Sequence, residues 1–112
     1  MICKTYDIVV VPFPFTDSSE IKKRPAVILS QELFNKSHAQ SICAMITSSS
    51  HEKRISDIEI ECLGDAGLSR PSKIRFKLFT LDNYLILGKI GCLAKTDQDS
   101  LKEMMCRVFL LD

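Results

Sequence analysis

No apolar run in these 112 residues approaches the roughly 18–20 that a membrane span requires. The first residues show no signal-peptide pattern, so a cytoplasmic protein with no membrane contact is expected. The five cysteines, Cys3, Cys43, Cys62, Cys92 and Cys106, are odd in number, widely spaced and never form C-x-x-C. That spacing suggests neither a disulfide framework nor a structural zinc site, and leaves free buried thiols as the reading. A Gly-rich phosphate loop, G-x-S-x-G and H-E-x-x-H are missing too, which removes the common nucleotide-binding, hydrolase and zinc-protease signatures. Only two histidines occur, His38 and His51, both in polar loop-like contexts and read as solvated surface. No cofactor and no metal set is implied. The acidic row Asp57, Glu59 and Glu61 is better explained as the wet face of a strand. A large net charge is lacking as well: the total is +1, which argues against a strong non-specific polyanion binder. The distribution is less even, because residues 68–95 carry six cations and one anion.

What is there reads as one domain, residues 1–112, without repeat or linker. DIVVVPFPF (7–15) is a β-branched strand whose ladder should stop at Pro12. PAVILS (25–30) is a second strand after the polar loop TDSSEIKK, and Ser30 is placed to cap a short helix over QELFNKS. SICAMITSS (41–49) is a third, buried strand ending at Thr47 and Ser48. DIEIEC (57–62) alternates, with Ile58, Ile60 and Cys62 inward and Asp57, Glu59 and Glu61 outward. KIRFKLFTL (73–81) sets Ile74, Phe76 and Leu78 against a basic face of Arg75 and Lys77. Tyr84–Leu87 fits strand or helical turn, and the glycines of GKIGCL (88–93) signal a bend or close backbone approach. Thr96 and Asp99 resemble a capping box, and Leu101, Met104, Met105 and Val108 predict an amphipathic helix over about 97–110. Short antiparallel strands closed by one helix make a mainly β, strongly curved sheet or small barrel.

Chemistry concentrates where strands meet loops. Arg24 follows Lys22 and Lys23 and precedes Pro25, which stiffens the chain. A guanidinium held there is either a solvated loop charge or a phosphate site. Thr47 and Ser48 are either strand-edge hydroxyls or part of such a site. Lys73 and Arg75 are either a solvated face or a stripe along a nucleic-acid backbone. Phe13 and Phe15 pack into the core or stack on bases.

Taken together and in order, D-I-V-V-V-P-F-P-F-T-D, K-R-P-A-V-I-L-S, I-T-S, P-S-K-I-R-F, K-L-F-T-L-D and K-I-G-C-L resemble the PemK/MazF family of toxin endoribonucleases. The resemblance runs through essentially the whole chain. It implies a small SH3-like barrel with a C-terminal helix, a homodimer, and metal-independent cleavage of single-stranded RNA, often mRNA. It also implies silencing by a cognate antitoxin protein. The family's catalytic arginine falls on Arg24, its catalytic Thr or Ser on Thr47 with Ser48 adjacent, and a later basic position on Lys73. Lys22, Lys23, Ser48, Lys73 and Arg75 are then the candidate RNA contacts. The loop departs from the family's Ser-Glu-Gln-Gly: it reads S-S-E-I-K-K, which leaves Glu20 as the nearby acid. An acid expected between I-R-x and K-L-F is also absent, since Phe76 runs directly to Lys77. The rival reading is a non-catalytic barrel that binds nucleic acid or a protein partner.

Overall fold

The structure, a computed structural model, describes residues 1–13 and 22–111. It is mainly β: a curled six-stranded antiparallel sheet with short helices and one long C-terminal helix. The strands are β1 (Asp7–Phe13), β2 (Lys22–Ile28), β3 (Gln40–Ser48), β4 (Ile58–Glu59), β5 (Ser72–Asp82) and β6 (Gly88–Cys92). Their order in the sheet is β4-β5-β3-β2-β1-β6. Helices α1 (Glu32–His38), α2 (Leu63–Ala66) and α3 (Lys95–Val108) fill the connections, and Asn83–Leu85 form a 3-10 turn. No described helix is long and apolar enough to cross a membrane.

Alternation along the strands feeds two clusters, one on each face of the sheet. Ile8, Val27, Ala44, Ile46 and Ile74 point to one side, where Ala66 of α2 and Leu101 of α3 close over them. Val9, Val11, Ala26, Ile28 and Cys43 point to the other, against Cys3, Leu81 and Ile86. Burial on both faces explains why β1 to β3 read as continuous apolar runs rather than as alternating ones. Beneath α1 a buried polar chain joins the layers. Asn35 donates from Nδ2 to the Cys3 carbonyl at 2.9 Å, and Asn83 donates to the Asn35 carbonyl at 2.7 Å. Ser41 in turn donates to Asn83 Oδ1 at 2.7 Å.

Several boundaries differ from the sequence reading. β1 continues through Pro12, which pairs with Lys23, to Phe13. Beyond Val10 the strand has lost its β6 partner, so the missing amide of Pro12 falls on an open side. β2 begins at Lys22, not Pro25, so Arg24 lies inside a strand, opposite Val11. Ser30 does not cap α1; Gln31 occupies that position, and the Ser30 hydroxyl bonds Asn35 Oδ1 while accepting from the Ile42 amide. α3 starts at Lys95 without a Thr96 cap. Instead Asp97 is buried and accepts the amides of Glu61 and Cys62 at 2.9 and 3.0 Å, docking the helix end onto the β4–α2 junction. The alternation of DIEIEC holds from Ile58 onward but fails at Asp57, which is buried. Of the two glycines in β6, Gly91 is the one a backbone crowds. A Cβ there would lie 2.5 Å from the Asp65 carbonyl oxygen, whereas nothing stands near Gly88.

Candidate active site

β2 and β3 pair at Ala26↔Met45, Val27↔Ala44 and Ile28↔Cys43. Carried two residues further, this register sets Arg24 across from Thr47, but the ladder stops before reaching them. The strands part there, and a cleft of about 230 Å³ opens between them. Phe13 lines it from β1, Arg24 from β2, Met45, Ile46 and Thr47 from β3, and Arg75 and Lys77 from β5. His51 and Arg54 complete it from the segment after β3, and an adjoining hollow is lined by His51, Glu52, Lys53, Arg54 and Arg75. Arg24 and Thr47, distant in sequence, therefore share one concave surface.

The cations around the cleft are differently committed. Arg75 grips Asp57 with two nitrogens, Nε to Oδ1 at 3.2 Å and Nη2 to Oδ2 at 2.9 Å, and reaches the Glu52 carbonyl at 2.7 Å. Lys73 is 2% exposed; its ammonium lies 3.4 Å from Asp57 Oδ2 and donates to the His51 carbonyl. Reading Lys73 as a solvated charge is thus corrected: the side chain is a buried strut beneath the cleft. Hydrogen bonding by Arg75 holds the Asp57 carboxyl far below the usual carboxylate range, assisted by the Arg54 amide and Lys73 and opposed by burial. The same bond raises the Arg75 guanidinium. Among the described residues no carboxylate pairs with Arg24, which is exposed at the rim. No other described residue takes its guanidinium donors.

Lys22 and Lys23 are exposed on β2 outside the cleft lining, and Ser48 Oγ is occupied 2.8 Å from Ser50 Oγ in the turn that follows β3. Glu20 and Phe15 lie outside the described residues. Phe13 is half-buried at the cleft wall, with the Lys77 ammonium 5.4 Å above its ring centre. His51, which the sequence reading took for solvated surface, has a partner in the cleft. Its Nδ1 stands 2.6 Å from Thr47 Oγ1. The available signal was the four-residue spacing from Thr47 across S-S-S, a run suited to a tight turn. No cysteine lines the cleft, and burial pushes the Cys43 thiol up to about 12. Among the described residues no three His, Cys, Asp or Glu side chains converge closely enough to hold a metal ion.

The chain was compared with known proteins. No curated protein sequence matches at a significant level. Among solved structures, the Mycobacterium tuberculosis toxin MazF-mt6 superposes with a TM-score of 0.75 at 21% identity, covering 95% of this chain and 98% of that one. An endoribonuclease from a mycobacterial species, in complex with its cognate antitoxin, gives 0.77 at 11% identity over 99% and 96%. The MazE-MazF complex of Deinococcus radiodurans gives 0.75 at 15% identity over both full chains. At these identities the structures establish the fold. The family evidence is the match of residues 4–109 to the PemK-like, MazF-like toxins, and on it the chain belongs to that toxin family of type II toxin–antitoxin systems.

Proposed function

We propose that this toxin is an endoribonuclease that cleaves single-stranded RNA, mRNA included, without a metal ion. The observation that carries the reading is the convergence on one cleft of a hydroxyl, Thr47, and a guanidinium, Arg24, that no described carboxylate holds. RNA brings its own nucleophile, the 2′-hydroxyl next to the scissile phosphate. The protein has to align ribose and phosphate and stabilise the charge that grows on the phosphorane oxygens. A guanidinium stays charged at neutral pH and donates hydrogen bonds rather than protons, so Arg24 acts as the phosphate clamp. Thr47 bonds the 2′-hydroxyl or a phosphate oxygen. Lys22, Lys23 and Arg75 add positive potential around the strand, Ser48 borders the site, and Glu20 is the acid of the neighbouring loop. We read the working form as a cytoplasmic homodimer silenced by a cognate antitoxin. That partner is suggested by the solved relatives that are antitoxin complexes.

The test is cleavage of a long single-stranded RNA by purified protein in EDTA. Wild type should cut, leaving 2′,3′-cyclic phosphate ends, and Arg24→Ala should slow cutting by about 100-fold or more, the scale of losing one preorganised oxyanion donor. Intact RNA with wild type, or undiminished cutting by Arg24→Ala, overturns the assignment. RNA retention by both proteins with cutting by neither would favour the non-catalytic barrel.

A further inference from the structure

We propose that His51 acts through Thr47 as the proton acceptor of this site, forming a two-member relay between the RNA 2′-hydroxyl and an imidazole. The inference rests on the ribonuclease reading above and deepens it. Three observations support it. Thr47 Oγ1 and His51 Nδ1 are 2.6 Å apart, within the range of a direct hydrogen bond. Both residues line the cleft that holds Arg24, and His51 also lines the adjoining hollow. The backbone of His51 is fixed from below, because its carbonyl accepts from Lys73 and its amide donates to the Ser48 carbonyl at 3.1 Å. A threonine alone is a poor base; bonded to a neutral imidazole nitrogen, its oxygen can accept one proton as it releases another.

The step balances without an outside reagent. The 2′-O–H proton moves to Thr47 Oγ1 while the threonine's own proton moves to His51 Nδ1. The freed 2′-oxygen forms the new bond to phosphorus, the P–O5′ bond breaks with its electron pair on O5′, and solvent water protonates that oxygen. The imidazolium then returns its proton to the hydroxide left in solvent. Charged groups facing His51 are Arg24 from β2, Arg75 and Lys77 from β5, and Glu52, Lys53 and Arg54 from its own segment. Asp57 beneath is taken by Arg75 and Lys73, and Glu59 accepts from Ser49 Oγ at 2.7 Å.

The experiment measures kcat and KM against pH on a short oligonucleotide with one ribose at the cut site, in EDTA. Wild type should lose kcat toward acid pH, because a protonated acceptor takes no further proton. His51→Asn, whose Oδ1 can still accept from Thr47, should keep KM within about twofold, lose that acid limb and drop kcat by about 100-fold, the low end for general base catalysis. Thr47→Val should lose the same limb. An unchanged limb and rate in His51→Asn overturns the relay while leaving the ribonuclease reading intact. Failure of wild type to cut overturns both.

Discussion

Asp57 is the residue on which the cleft floor depends. Its carboxylate is buried and shared by Arg75, Lys73 and the Arg54 amide. Asp57→Ala leaves the Lys73 ammonium buried without its counter-ion and should destabilise the fold by about 3–5 kcal/mol in urea titrations. The pH sign follows from the lowered titration of this carboxyl in the folded state. Its stabilisation is fully present above the unfolded aspartate value of about 3.9 and is lost as pH falls below it. The stability gap between wild type and Asp57→Asn should therefore be flat from neutral pH to about 5 and shrink below about 4. Sequence pattern placed Asp57 on the wet side of a strand because period-2 alternation extends naturally to it. Burial was invisible there, since the compensating cations Lys73 and Arg75 sit 16 and 18 residues away. His51 was hidden for a related reason: a histidine after three serines has no partner until the turn folds it back onto Thr47.

At the level of elements, the strands were largely legible and their ends were not. Apolar runs and alternation located β1, β3 and β5, but Pro12 looked like a stop and Pro25 like a strand entry, although both sit within paired strand. A missing amide is harmless where a strand has no neighbour on that side, and only topology reveals that. The two glycines of β6 read as a bend or a close backbone approach; the approach is found at Gly91, where β6 meets α2, and not at Gly88. Gly91→Ala should force these two apart and cost about 1–3 kcal/mol by thermal unfolding, whereas Gly88→Ala, in open space, should cost less than about 1 kcal/mol. Equal losses for the two substitutions would contradict this packing.

For the molecule as a whole, near-neutral net charge coexists with a cleft bordered by Arg24, Arg54, Arg75 and Lys77. Three of these stand far apart in the chain, yet the concentration of cations in residues 68–95 already pointed toward such a surface. Attraction for a single strand should be local rather than global. With about three phosphates neutralised, single-strand RNA affinity should fall roughly 20-fold between about 50 and 200 mM salt, far less than for an extensively basic surface. A binding titration with a non-cleavable 2′-deoxy strand measures the slope directly. The fold class followed from strands that propensity marks clearly, whereas joining Arg24 and Thr47 in one site was implied only by the family resemblance; in the structure both line one cleft.

Within the segment 49–57, Ser49, His51 and Asp57 hold by their side chains, whereas residues 52–55 are fastened through main-chain atoms. Lys73 holds the His51 carbonyl, Arg75 the Glu52 carbonyl, and Asp57 the Arg54 amide. Side chains of residues 52–55 are exposed and uninvolved in that fastening. Such a tether is blind to what the segment spells. Its outward residues are free to drift from one descendant to another without loosening the frame, so this stretch is where new preferences for neighbouring nucleotides would evolve most cheaply.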